Sequence, residues 1–82
     1  MTQFDLFPVA VHLRRVDPAR NMRRFYTIGL QPDLFGGCTL IREWGRLGSA
    51  GTIRHDGYPS EGAAVDALLV HVGRKERGGY KP

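Results

Sequence analysis

Cys38-Thr39-Leu40-Ile41-Arg42-Glu43-Trp44 leads into Gly45-Arg46-Leu47-Gly48-Ser49-Ala50-Gly51 and on to Thr52-Ile53-Arg54-His55. Residues 38–44 read as a strand, with Leu40, Arg42 and Trp44 on one face and Thr39, Ile41 and Glu43 on the other. The pattern leaves open which of the two faces meets the core. Three glycines within residues 45–51 suit a bulge plus a tight hairpin loop with positive-φ positions, and residues 52–55 form the return strand.

Upstream, residues 7–16 alternate Phe7, Val9, Val11 and Leu13 with Pro8, Ala10, His12 and Arg14, the period of two expected of a half-buried strand. Asp17-Pro18 breaks it, because proline lacks an amide hydrogen and restricts the residue before it, and a polar turn runs through Asn21. A second strand starts near Arg23 and places Tyr26, Ile28 and Leu30 on one face. Residues 31–37 read as a loop. Downstream, Ser60 is a favoured N-cap for a helix over 61–75, whose Ala64, Val65, Leu68, Leu69 and Val72 recur at helical spacing. Gly78-Gly79 then ends it. Strands followed by one helix predict an α+β fold: a small antiparallel β-sheet of about four strands with one C-terminal helix packed on one face.

The whole chain, residues 1–82, reads as one domain, and its 41% hydrophobic and 24% charged content is that of a globular protein. A domain this short buries only about 60% of the surface its unfolded chain exposes, so a deep substrate cavity is not expected. The single Cys38 cannot form an internal disulfide, and no apolar run is long enough to span a membrane; a reducing, cytoplasmic setting is expected, nucleoid-associated if DNA is bound. Ten of the twelve cations are Arg, and the net charge is +4. Guanidinium groups match phosphate bidentately and stack on planar rings, which suits an anionic polymer. The charge is also segregated: residues 17–24, 38–55 and 72–82 are each net basic, whereas 56–71 carry Asp56, Glu61 and Asp66 and no Lys or Arg.

Catalytic chemistry finds no footing. His12, His55 and His71 are isolated and there is no cysteine pair, so no metal or other cofactor is expected. Ser49 is not in a nucleophile elbow, the glycines at 45, 48 and 51 lack the Lys-Ser/Thr of a phosphate loop, and Asp33, Glu43 and Asp56 are not paired by spacing. The chain is expected not to be an enzyme. What stands out is Trp44-Gly45-Arg46, where the only Trp precedes a glycine and a guanidinium. Two readings compete: an outward stacking platform beside a phosphate-holding Arg, and a buried core anchor.

Trp44-Gly45-Arg46-Leu47-Gly48 resembles the signature of the WGR domain, and the resemblance spans roughly residues 21–80. Asn21 with Arg24-Phe25-Tyr26 ahead of Ile28 and Leu30, then Ser60, Ala64 and Leu68, then Lys75 and Tyr80, are similar to further segments of that family's pattern. Leu68 stands where the family usually carries Phe, a change of packing. Stand-alone WGR-like chains occur among bacterial proteins. In the DNA-dependent poly(ADP-ribose) polymerases the domain docks near DNA strand breaks. There the motif Trp packs on the sugar-phosphate backbone close to a 5′ end, and the motif Arg serves largely in contacts between domains.

The resemblance implies the same role for Trp44, while charge nominates Arg24, Arg42, Arg54 and Lys75 as phosphate contacts. Trp44, Gly45, Arg46, Asn21, Arg24, Arg42, Arg54, Lys75 and Tyr80 are therefore the expected nucleic-acid-binding residues. DNA, through its backbone or strand ends, is the expected partner of a module related to DNA repair. The alternative is an adaptor that docks a partner protein, with Arg46 inserting into it.

Overall fold

The computed structural model describes residues 9–82. Four strands form one antiparallel sheet in sequence order: β1 (Val9–Asp17), β2 (Met22–Pro32), β3 (Cys38–Arg46) and β4 (Thr52–Tyr58). One helix, α1 (Glu61–Arg77), packs on one face of β2, β3 and β4. This is the α+β architecture expected from the sequence. Phe7 and Pro8, placed above in the first strand, lie outside the described residues.

Between β1 and β2 the break at Asp17-Pro18 becomes a single 3-10 turn, Pro18–Arg20, closed by Asn21 at φ +50°. The strand register then fixes which side chains share a face. Leu13, Tyr26, Trp44 and Thr52 form one transverse row, and Val11, Ile28, Arg42 and Arg54 form the next. The core is built on this face, from Leu13, Tyr26, Ile28, Leu30, Cys38 and Leu40 against Ala64 and Leu68 of the helix. Leu40, Arg42 and Trp44 thus turn toward the helix, which settles the face of β3 that the alternation left open. Ile41 is also buried, at 1% exposure, but on the opposite face, flanked in register by Gly29 and His55.

Several elements run longer than the sequence reading had them, among them β2 to Pro32, β4 to Tyr58 and α1 to Arg77, and two further details differ. No bulge interrupts β3 at Gly45: pairing runs without a break from Tyr26↔Trp44 through Phe25↔Gly45 to Arg24↔Arg46. The positive φ values fall instead at Gly48 and Gly51, in the turn. Along α1 the buried stripe is Ala64 and Leu68, with Ala67 and Val72 partly buried, whereas Val65 and Leu69 face outward. The helix touches the sheet along a stripe too narrow to cover residues on both of its flanks.

The helix ends are specified locally. Ser60 Oγ accepts from the Ala63 amide at 3.1 Å, an N-cap. At the other end the Tyr80 amide donates to Lys75 O at 3.0 Å and the Gly79 amide to Glu76 O at 3.1 Å, with Gly79 at φ +96°. That is a Schellman termination, in which the left-handed position favours glycine. It sends the chain back over the sheet, where Lys81 pairs antiparallel with Arg14 on the free edge of β1.

Candidate nucleic-acid interface

Gly45 has extended backbone, so its requirement is space. A Cβ at this position would lie 2.9 Å from Gly51 Cα and 3.4 Å from both Phe25 Cε1 and Ser49 Oγ. Phe25 and the returning hairpin therefore close directly against the strand between Trp44 and Arg46. The hairpin is tied back by Ser49, whose amide and hydroxyl donate to Arg46 O at 3.0 and 2.6 Å. With the backbone on both sides of Gly45 held in this way, Trp44 is fixed on the helix side of the sheet, half-buried, at the end of the core. Both readings of the tryptophan meet here. One part of the ring packs on the core, and the rest lines two grooves.

The first groove, of about 380 Å³, is lined by Arg24, Trp44, Gly45, Arg46, Lys75 and Tyr80. All six were nominated from the sequence. Residues from β2, β3, the last turns of α1 and the returning tail meet there because the tail crosses the sheet just beyond the helix end. Lys75 Nζ lies 4.9 Å from the centroid of the Tyr26 ring and 5.2 Å from that of Tyr80, and the two rings meet edge to face at 6.4 Å. The ammonium is thus held by aromatic faces, and among the described residues no carboxylate pairs with it.

The second groove, of about 340 Å³, shares Trp44 and Lys75 and adds Tyr26, Arg42, His71 and Arg74. Tyr26, His71 and Arg74 were not nominated. The sequence placed Tyr26 only on one face with Ile28 and Leu30; it is buried in the core, and the pairing of β2 with β3 puts it beside Trp44. His71 precedes Lys75 by one helical turn, a spacing that is informative only once Lys75 is known to face the sheet.

Arg42 differs from the other cations. Its side chain is 16% exposed; Nη2 donates to Asp56 Oδ2 at 3.3 Å, and the guanidinium lies 5.6 Å from the Trp44 ring centroid. It thereby braces the indole. Its Nη1 lies 3.5 Å from His71 Nδ1. Arginine has no acceptor, so this contact needs an unprotonated Nδ1. Burial lowers the His71 pKa, with Arg42 and Arg74 acting in the same direction. Asp56 also takes Arg54 Nε at 3.2 Å. Burial pushes the Asp56 carboxyl up, but Arg54 and Arg42 outweigh it and hold its pKa below the usual value. Two guanidiniums share one carboxylate there, leaving a surplus of one positive charge. Tyr26 Oη and Arg42 Nε are buried on the second groove's wall and form no hydrogen bond of good geometry with any of the described residues.

Asn21 contributes backbone: its carbonyl accepts from Arg46 Nη1 at 3.4 Å, which steers Arg46 toward the start of β2. Arg54 stands on the outer strand and lines neither groove; it is the cross-strand partner of Arg42 and shares Asp56 with it. In register, Arg15, Arg24 and Arg46 form a row across β1, β2 and β3, next to the row of Leu13, Tyr26 and Trp44. Among the described residues the ion pairs involve Arg20, Arg42 and Arg54, and none of this row.

Among the described residues no group of three or more His, Cys, Asp or Glu could hold a metal ion, and no helix is long and apolar enough to cross a membrane. No solved structure gives a significant match. The uncharacterized protein y4dW of Sinorhizobium fredii (strain NBRC 101917 / NGR234) is 37% identical over 75 residues. That alignment covers 92% of this chain, and the chain spans 37% of the length of that relative. The WGR domain, a binding domain that contacts nucleic acid in poly(ADP-ribose) polymerases, matches residues 9–82, and the chain belongs to the WGR domain family.

Proposed function

We propose that this chain is a non-enzymatic nucleic-acid-binding module that engages the sugar-phosphate backbone of DNA, at or near a 5′ strand end, through Trp44 and the cations around it. The observation that carries this reading is the groove of Arg24, Trp44, Arg46, Lys75 and Tyr80, which combines two aromatic rings and three cations with no carboxylate in its lining. An exposed aromatic edge suits a sugar or base, and unpaired cations suit the phosphates on either side of it. Arg42 and Asn21 act behind this surface, bracing the Trp44 ring and the Arg46 side chain. Arg54 supplies charge from the outer strand.

Fluorescence anisotropy against a 5′-phosphorylated broken duplex, and against the same sequence closed by hairpins at both ends, tests the reading at low and physiological salt. Binding falls with salt at a log-log slope near about −4 if four phosphates are neutralised. Trp44→Ala lowers affinity by about tenfold without unfolding the protein. Preference for the open 5′ end supports end recognition, equal binding to both reduces the module to a general backbone binder, and absence of binding overturns it. The adaptor alternative has Arg46 inserting into a partner protein; a separate apolar surface that a partner could cover is the tip of the β2–β3 loop, where Leu34 and Phe35 are 96% and 94% exposed. Capture of a defined protein that survives nuclease treatment would favour the adaptor.

A further inference from the structure

Beyond Tyr80 the tail does not simply end. Arg14 and Lys81 exchange backbone hydrogen bonds of 2.7 and 2.8 Å, so the tail adds a short fifth element to the edge of β1. Between them opens a cleft of about 630 Å³ lined by Arg14, Arg15, Val16, Asp17, Gly79, Lys81 and Pro82. Gly79, in its left-handed conformation, lets the chain pass close over Arg15: a Cβ there would stand 3.2 Å from Arg15 Nε. The guanidinium is therefore laid against the backbone rather than free in solvent.

This cleft adjoins the Trp44 groove in two ways. Arg15 is the cross-strand partner of Arg24, which lines that groove, and Gly79, Tyr80 and Lys81 line the two hollows alternately along the tail. Like charges on directly opposed strand positions destabilise a sheet. Here three arginines stand in one row, and the described ion pairs compensate none of them. An anion bridging such a row would offset that repulsion. Neighbouring antiparallel strands are about 5 Å apart, so Arg15 to Arg46 spans roughly 10 Å, about three phosphates of axial rise along one nucleic-acid strand. Asp17, the one carboxylate in the lining, is drawn toward Arg20 at 3.6 Å.

We propose that the cleft between β1 and the C-terminal tail is a second phosphodiester-binding site, in which Arg15 and Lys81 take phosphates of the same strand that Trp44 and Arg24 engage. The inference rests on the function proposed above and extends its footprint by the width of one strand and the tail.

The test is a salt titration of the full chain on the 5′-phosphorylated broken duplex, comparing the wild-type protein with Arg15→Gln, Lys81→Gln and Arg23→Gln. Arg23 lies next to Arg24 but on the other face of β2, so it removes the same charge from the wrong side. Each cleft variant is expected to weaken binding about threefold to tenfold and to make the log-log slope less negative by about 1, with Arg23→Gln leaving the slope unchanged. Lys81→Gln keeps the backbone pairing with Arg14, and thermal melting of each variant checks that the fold is retained. Unchanged slopes for both cleft variants, while Trp44→Ala still weakens binding, would overturn the second site alone. No binding by the wild-type protein would overturn both proposals, and equal slope losses in all three charge variants would reduce the cleft to a net-charge effect and overturn it.

Discussion

Gly45, Gly48 and Gly51 lie within seven residues and do three different things. Gly48 has φ +86° and open space around it, so an Ala there meets only the left-handed backbone strain of about 1–2 kcal/mol. Gly45 has no such φ, but a Cβ would press on Gly51 and Phe25. Gly51 suffers both: φ +74°, and contacts of 2.7 Å to Phe25 Cζ and 2.8 Å to Trp44 O. Chemical denaturation of the three Ala variants should rank their destabilisation Gly51 first, with Gly45 costing about 1–3 kcal/mol by overpacking. A ranking led by Gly48 would contradict this geometry. The glycines were legible in the sequence as turn formers, but the close approach of Phe25 was not, because it comes from a neighbouring strand.

His71 carries a second prediction at this scale. Its folded-state pKa lies below the ordinary 6.5, so the unfolded chain binds the proton more readily. The associated stability is complete above that unfolded value and is lost as pH falls through the folded one. Thermal midpoints of the free protein should therefore drop as pH is lowered from 7 toward 5, and His71→Gln should flatten that part of the profile. A profile identical in the two proteins would remove His71 from the account.

At the scale of elements, the strands were readable because each alternates, and the helix because it is capped and regular. What alternation could not decide was β3. It buries Leu40 on the helix side and Ile41 on the other, so neither face looks polar, and only pairing with Tyr26, Ile28 and Leu30 assigns Arg42 and Trp44 to the site face. The helix stripe was read too wide for a related reason. Periodicity admits Leu69 beside Leu68, yet the sheet is met along Ala64, Leu68 and Val72, and Leu69 remains 61% exposed. Leu68→Ala should cost about 2–3 kcal/mol in denaturant unfolding and Leu69→Ala less than about 0.5. Comparable losses would mean that the helix rotates on the sheet. Removing the cap with Ser60→Ala should cost about 1 kcal/mol. The row of Arg15, Arg24 and Arg46 belongs to this scale too: three arginines 9 and 22 residues apart in sequence become neighbours only through strand register.

Across the whole molecule the helix direction and the strand order sort the chemistry into two ends. The C-terminal turns of α1, the returning tail and the arginine row gather at the Trp44 end. At the other end the β2–β3 loop is pinned by Asp33, whose Oδ1 accepts from the Phe35 and Gly37 amides at 2.7 and 2.9 Å, and it displays Leu34 and Phe35 to solvent. Arg24 and Pro32 are eight positions apart along β2, about 25 Å of strand and more than twice a Debye length of about 8 Å at physiological salt. Charge gathered around Trp44 cannot act at that distance, and the loop makes no contribution to the core. The double variant Leu34→Ser with Phe35→Ser should therefore unfold within about 0.5 kcal/mol of the wild-type protein. Its affinity for the broken duplex should stay within about twofold of wild type at every salt concentration, because no phosphate contact is lost. Anisotropy titrations alongside Trp44→Ala check this directly. A loss as large as that of Trp44→Ala would mean that nucleic acid runs the full length of the sheet, and the ligand would then have to be tracked along β2 rather than across the arginine row.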